Sequence, residues 1–403
     1  MNLSVSDVEV RADLRRLVLG ALLTSTTGAA AQLALVLRLT YATDSGLTVA
    51  GLWLASTLPA VLLAPVIGQL VDHKETVAVL RGLALAQAGF DIGLAVVPGV
   101  APVLLISLGL GCAAAATASG LYALVGALPS RPPSGAISNP LTLVQASEWA
   151  GATLGPLVGA GLVTMVGTRV PLAVDSVGLV GAYFLLARVT TRRSPSPAPT
   201  VGAHPTWAGV RLLVHDSDLR QLVGPVVLVI TAVNLGVVAE VFLATRALHA
   251  GSLGYGAMVG TWGAGMVLGT LLAPRLVRWN RLTLTGAGGI AAAVGLAGAG
   301  ASPSLGVAVA AYLVGGLGNG LEANSARLLV QERARPEIQG RAFAAYLALG
   351  RSAAAMGTVA GGVTLAPLGS RGSMGLAAIL AAGGGLTLLA IGRGGPGTLR
   401  RSA

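Results

Sequence analysis

The amino-acid sequence predicts an all-α membrane protein, with twelve transmembrane helices in two pseudo-symmetric six-helix bundles. Composition is the first reason. Of 403 residues, 54% are hydrophobic and 10% charged, and the mean hydropathy is +0.79, whereas a soluble globular chain is about a quarter charged. So few charges cannot clothe a surface in water, which excludes an ordinary cytosolic enzyme, a disordered chain and a nucleic-acid-binding domain. The second reason is the length of the apolar runs. They are about 20 residues long, which matches a helix crossing a hydrocarbon core of about 30 Å and not the alternating strands of a barrel. The third is glycine, at 58 residues against 4% aromatics. Small residues let membrane helices approach closely, where packing replaces the hydrophobic drive.

Taken in order, apolar runs bounded by charge, proline or glycine place spans 1 to 6 at Leu17–Thr40, Val49–Val71, Thr76–Val97, Ala101–Leu128, Leu141–Val166 and Pro171–Arg188. Spans 7 to 12 follow at Gln221–Ala244, Gly254–Val277, Leu282–Ala301, Pro303–Val330, Arg341–Ala366 and Gly372–Ile391. The mixed charges of the first sixteen residues, followed by a long apolar stretch, read as a retained first span and not a cleaved signal peptide. Val189–Arg220 is the one long polar stretch. It holds a Pro/Ser linker, Ser194–Pro199, and a short amphipathic piece, Trp207–His215. The domain organisation expected is an N-terminal bundle at 1–188, a cytoplasmic linker at 189–220 and a C-terminal bundle at 221–403. The halves also echo each other: Leu62-Leu63-Ala64-Pro65 in span 2 recurs as Leu271-Leu272-Ala273-Pro274 in span 8, 209 residues on. Paired halves related by an axis along the membrane normal are a transporter architecture.

The net charge of +11 would suggest nucleic acid in a soluble protein, but positive charge retained on one side of a membrane gives the same sum. Twenty of the 26 Lys and Arg residues fall in alternate loops on one side. Arg38, Arg169, Arg246 and Arg371 fall on the other, and Arg327 and Arg351 lie inside spans. The asymmetry places both termini and the linker in the cytoplasm.

Several chemistries are missing. A phosphate-cradling loop needs Gly-x-x-x-x-Gly-Lys-Ser/Thr, yet the only lysine, Lys74, precedes Glu75 and lacks the glycines. The four histidines form no pair at metal-ligand spacing, and Cys112 is the single cysteine, inside an apolar run. No compact set of His and carboxylates marks a membrane enzyme. The expected protein is therefore not an enzyme, uses no metal or other cofactor, and draws any energy from an ion gradient.

Ionisable groups inside spans are costly and are functional candidates by default. They are Asp91 (span 3), Glu148 (span 5), Asp175 (span 6), Glu240 (span 7), Glu322 and Arg327 (span 10) and Arg351 (span 11). Arg327 and Asp175 lie within about two turns of a span end, where snorkelling or capping is favoured. Glu322 and Arg351 lie about 12–15 Å deep on consecutive antiparallel helices at 1.5 Å per residue, so an ion pair between them is geometrically natural. Glu322, modulated by Arg351, is the leading expectation for a proton-titrated site, with Glu148 or Glu240 as a second and Asp91 as a further candidate. A permanent structural salt bridge is the competing reading.

The turn after span 2 reads Gly68-Gln69-Leu70-Val71-Asp72-His73-Lys74. It resembles the cytoplasmic loop 2–3 motif of the major facilitator superfamily, Gly-x-x-x-Asp-Arg/Lys-x-Gly-Arg-Arg. Gly68 and Asp72 match and His73 stands where that family has a base, but Glu75 and Thr76 replace its Gly and Arg. Gly68, Asp72, His73 and Lys74 are thus a candidate gating motif. Three further stretches resemble enterobactin-exporter-like facilitators. They are Gly155-Pro156-Leu157-Val158-Gly159 with Asn139 and Asp175, Trp207–Arg211 running into Asp216–Arg220, and Gln331–Pro336 followed by Gly340-Arg341. The resemblance implies an inner-membrane exporter of drugs or secreted metabolites driven by proton antiport. Such exporters commonly carry an Asp in span 1, where this chain has Gly28, so any proton role of that Asp lies elsewhere or is lost.

In the resembled fold, spans 1, 4, 7 and 10 line the cavity. Their uncharged polar groups include Thr24, Ser25, Gln32, Thr117, Ser119, Tyr122, Asn234, Asn319 and Asn324. Gln32, Tyr122, Asn234, Asn319 and Asn324 are the candidate substrate contacts, although such groups also bond neighbouring helices. The function expected is secondary active transport: proton-coupled efflux of a small lipophilic or amphipathic compound by alternating access. Proton-coupled uptake by the same constellation stays open. Buried acids argue against a non-transporting sensor, and the missing catalytic cluster argues against a membrane enzyme. The partners expected are lipid, a small-molecule solute and protons, with no nucleic acid. The chain is expected to be a monomer in the bacterial cytoplasmic membrane.

Overall fold

A computed structural model describes residues 5–62, 75–126, 128, 140–191, 216–276, 279–333 and 339–394. Eleven helices account for nearly all of them, and no strand occurs among the described residues. They are α1 (Val5–Thr43), α2 (Gly46–Leu62), α3 (Thr76–Val96), α4 (Val100–Gly126), α5 (Pro140–Val166), α6 (Val170–Ala187), α7 (Ser217–Phe242), α8 (Gly251–Leu272), α9 (Arg281–Gly300), α10 (Leu305–Arg333) and α11 (Gln339–Gly394). Ten helices among the described residues are long and apolar enough to cross a membrane, and the apolar part of α2, Gly46–Pro59, is shorter. This is a multi-pass membrane protein. The expected twelve spans map onto eleven elements because α11, 56 residues long, runs through the predicted gap between spans 11 and 12. Gly369, two residues after Pro367, breaks its geometry there at φ 65° and ψ 179°, a conformation essentially restricted to glycine.

The helix ends follow local chemistry. α1 starts at Val5, well before its apolar run, so the charged stretch up to Arg16 is helical too. Its end is set by Asp44, which takes a left-handed turn at φ 50°. α3 stops at Val97-Pro98-Gly99, where Gly99 has φ 88°, and α6 carries Pro171 in its first turn, where no backbone donor is needed. α7 passes into a π-helical turn, Leu243–Ala247.

The helices cluster into two compact units, Met1–Asp44 with Gly51–Thr200, and Ser45–Ala50 with Val201–Ala403. In the first, α1 packs on α5 and α6, and α3 on α6 and α4. In the second, α7 packs on α11, α9 on both α10 and α11, and α8 on α10. Each unit has a buried hydrophobic cluster: Leu17, Leu80, Leu124 and Val144 in one, Leu222, Leu282, Leu329 and Leu388 in the other. Exposed Leu105, Val177 and Ile379 present the apolar outer faces that lipid covers.

Glycines set the closest helix contacts. Gly155 and Gly159 of α5 face the backbone of α1, where an added Cβ at Gly155 would stand 2.5 Å from the Thr26 carbonyl. Gly265 and Gly269 of α8 oppose Gly316 and Gly320 of α10 in the same manner. These facing small-xxx-small tracks explain where part of the glycine goes.

Two of the four arginines on the sparsely basic side are used as helix caps. Arg38 donates to the carbonyls of Leu94 and Val97 at the end of α3. Arg371 donates to Gly300 O at 2.9 Å and Ser302 O at 2.8 Å at the end of α9. Both satisfy orphan carbonyls with positive charge at the negative end of a helix. At the opposite end of the first unit, Asp13 accepts from the backbone N–H of Thr190 at 2.9 Å and of Thr191 at 2.8 Å, and from Arg16 at 2.8 Å, which fastens the exit of α6 to α1.

Candidate functional site: an acidic, apolar-walled cavity

The first unit holds a half-open cavity of about 360 Å³ among α1, α3, α4, α5 and α6, with Ser56 of α2 also on its wall. Small side chains create the space: Gly28 and Ala31 on α1, Ala84 on α3, and Gly111, Ala114 and Ala118 on α4. The walls are mainly apolar, and the charged groups on them are Asp91, Glu148, Asp175 and Arg16. Most of its uncharged polar groups are already engaged. Gln87 donates to Thr117 Oγ at 2.7 Å, and Thr24 and Ser25 donate to carbonyls of their own helix at 3.0 and 2.6 Å. Gln32 is different. Its buried amide nitrogen has no protein acceptor among the described residues.

The structure brings Glu148 and Tyr122 together. The phenol of α4 donates to Glu148 Oε2 of α5 at 2.7 Å. It also brings together Asp91 and Asp175, which the sequence sorted into different roles. Ser176 donates to Ala88 O at 2.9 Å and locks α6 on α3. The neighbouring Asp175 carboxyl then meets that of Asp91. Thr27 of α1 donates to Asp175 Oδ1 at 2.6 Å. Gly28, the next residue, stands so close that a Cβ there would lie 3.7 Å from Asp175 Oδ2.

The other candidates lie in the second unit. Glu240 on α7 is buried and accepts from Tyr312 of α10 at 3.1 Å, with Tyr255 of α8 also bonded to it. The Tyr312 ring packs edge-on against Trp262, centroids 5.3 Å apart. Glu322 is buried on α10, and the cation whose charge reaches it is Arg327 of the same helix, while Arg351 is exposed on α11. Asn234 donates to Ile230 O at 2.8 Å, Asn319 to Met266 Sδ at 3.7 Å and Asn324 to Thr270 O at 3.1 Å. These three amide donors are engaged with their own or a neighbouring helix. Gly68, Asp72, His73 and Lys74 lie outside the described residues, as do Asn139, Trp207–Arg211 and 334–336.

Sequence reasoning did not select Thr27, Gln87 or the Asp91–Asp175 pairing. Gln87 sits on α3, and α3 was not among the spans expected to face a cavity. One signal was available: Asp91 is five residues from the end of α3 and Asp175 five from the start of α6. On antiparallel helices that is one shared depth, about 7–8 Å from the ends.

Residues 17–358 match the family model of the Major Facilitator Superfamily. The chain belongs to the major facilitator superfamily. Family membership makes it a transporter and not an enzyme. No curated protein matches the sequence. Among solved structures, the nucleoside transporter NupG has a TM-score of 0.72 at 13% identity, covering 94% of this chain and 98% of its own. A bacterial homolog of the human lysosomal transporter Spinster gives 0.69 at 13% identity, covering 95% and 94%. The human organic anion transporter MFSD10 gives 0.62 at 16%, covering 94% and 99%. At these identities the likeness is one of fold.

Proposed function

We propose that this facilitator is a proton-coupled exporter of a small lipophilic or amphipathic compound. One observation carries the reading: buried acids line an otherwise largely apolar cavity. An apolar wall with few polar anchors suits a greasy solute. Three acids against one arginine favour a neutral or cationic one. Carboxyl groups withdrawn from water are kept in a membrane protein where a charge must come and go. Glu322, Glu148, Glu240 and Asp91 are the candidate proton carriers, with Arg351 and Arg327 able to act on them in one conformation or another. Gln32 and Tyr122 are the candidate substrate contacts in the first bundle, and Asn234, Asn319 and Asn324 in the second.

In this proposal twelve spans form a bundle at 1–188 and a bundle at 221–403, joined by a cytoplasmic linker at 189–220, with both termini in the cytoplasm and the chain acting as a monomer. The two bundles rock about a midplane site, and Gly68, Asp72, His73 and Lys74 latch the cytoplasmic side. The test is flux of a lipophilic fluorescent cation into proteoliposomes with an acidic lumen. Accumulation that collapses when a protonophore dissipates the gradient supports export by antiport. Accumulation that instead requires an acidic exterior reverses the direction to uptake, and flux indifferent to the pH gradient removes proton coupling.

A further inference from the structure

The Asp91–Asp175 contact is unusual in its chemistry. Asp91 is fully buried, and no donor among the described residues reaches either of its carboxyl oxygens. The group it meets is another acid. Two carboxylates are both acceptors, so the contact becomes a hydrogen bond only when one proton lies between them. Thr27 donates to Asp175 Oδ1 at 2.6 Å, which holds the Asp175 carboxyl in place. Both acids belong to the wall of the same cavity.

We propose that Asp91 and Asp175 form one proton-binding site in the first bundle, a carboxyl–carboxylate pair oriented by Thr27, that takes up and releases a single proton through the cavity. The pair rests on the transport reading above for its use, but its occupancy does not. The charged and titratable groups on the surrounding helices are otherwise engaged. Arg38 of α1 is bound to the carbonyls of Leu94 and Val97, and Arg81 of α3 is bonded to Tyr183 of α6 at 2.6 Å. Glu148 of α5 is bonded to Tyr122 of α4, and Arg16 of α1 to Asp13. Arg169, before α6, acts on Arg38, and Cys112 of α4 is half-buried. Among the described residues no basic side chain bonds either aspartate, so neutralisation falls to a small cation. Two neighbouring carboxyl groups suit a proton, because a hard metal ion gathers about six or more oxygens around it.

The site is tested by pH-difference infrared spectroscopy of the full chain in lipid nanodiscs, following the carbonyl band of protonated carboxylic acid. The expected result is a titrating band that both Asp91→Asn and Asp175→Asn remove or displace by at least tenfold in proton concentration. Thr27→Val, which keeps both acids, should displace the midpoint without removing the band. A wild-type titration in either Asn variant overturns the proposal, and so does displacement of the band by sodium but not choline. Glu332→Gln, at an exposed acid paired with Arg281 away from the cavity, should leave this band in place. If no gradient-coupled flux is found while the band behaves as expected, the transport reading falls and the site stands. Coupled flux with no such band has the opposite meaning.

Discussion

The hydroxyl of Tyr312 on α10 donates to Glu240 Oε2 on α7 at 3.1 Å, and both residues are buried. A carboxyl group deep in a bundle depends on such donors, because each lost partner leaves its desolvation uncompensated. Tyr312→Phe keeps the ring against Trp262 and removes only the donor. The expected cost is about 1–3 kcal/mol, read as a lower unfolding midpoint in detergent. An unchanged midpoint would mean that Tyr255 alone sustains Glu240.

The α8–α10 contact gives a sharper test of packing. An added Cβ at Gly269 collides with the carbonyl of Leu317, whereas one at Gly161 of α5 meets nothing within 4 Å. Gly269→Ala should destabilise the fold by about 1–3 kcal/mol. Gly161→Ala should be neutral or stabilising by up to about 1 kcal/mol through helix propensity. Equal effects from the two substitutions would refute the close-approach argument.

Arg38 and Arg371 make a paired prediction. Arg38→Lys retains the charge but loses the planar fork that reaches two carbonyls. Hydrogen exchange at the last turn of α3 should quicken while that at the end of α9 stays as it was. Arg371→Lys should produce the converse, and a global change in either variant would make the caps part of the core.

Gln32 carries a cavity-wall donor with no protein partner among the described residues. If its amide binds solute, Gln32→Leu should raise KM about fivefold to tenfold with kcat little changed, the loss of one hydrogen bond of about 1–1.5 kcal/mol. A fall in kcat at constant KM would assign Gln32 to a conformational step instead.

The expected topology is checked with reporter tags at both ends and a protease site inserted at 194–199. Both tags should report the cytoplasmic face. Cleavage should require access from that face and should yield two fragments that each stay in the membrane.

Much of this architecture was legible without coordinates. Water cannot solvate a chain with so few charges, so the apolar runs had to be helices with their backbone bonded internally, and α3 was expected at Thr76–Val97 and is found at Thr76–Val96. The break in α11 falls where a Pro-Gly stretch interrupted the last apolar run, at Gly369. The uneven distribution of basic residues was also visible. The use of Arg38 and Arg371 was not, because a cap on a distant helix leaves no local trace.

What the sequence by itself determined is the fold class and the place of each acid along its helix, because both are set by the order of apolar and polar residues along one helix axis. Only the tertiary structure decided which groups meet. Depth is a single coordinate, whereas a contact also needs the rotation of each helix and the identity of its neighbour, and those are set by packing between residues far apart in the chain. Hence Asp175, read as an end cap by its depth, stands against Asp91 under the hydroxyl of Thr27.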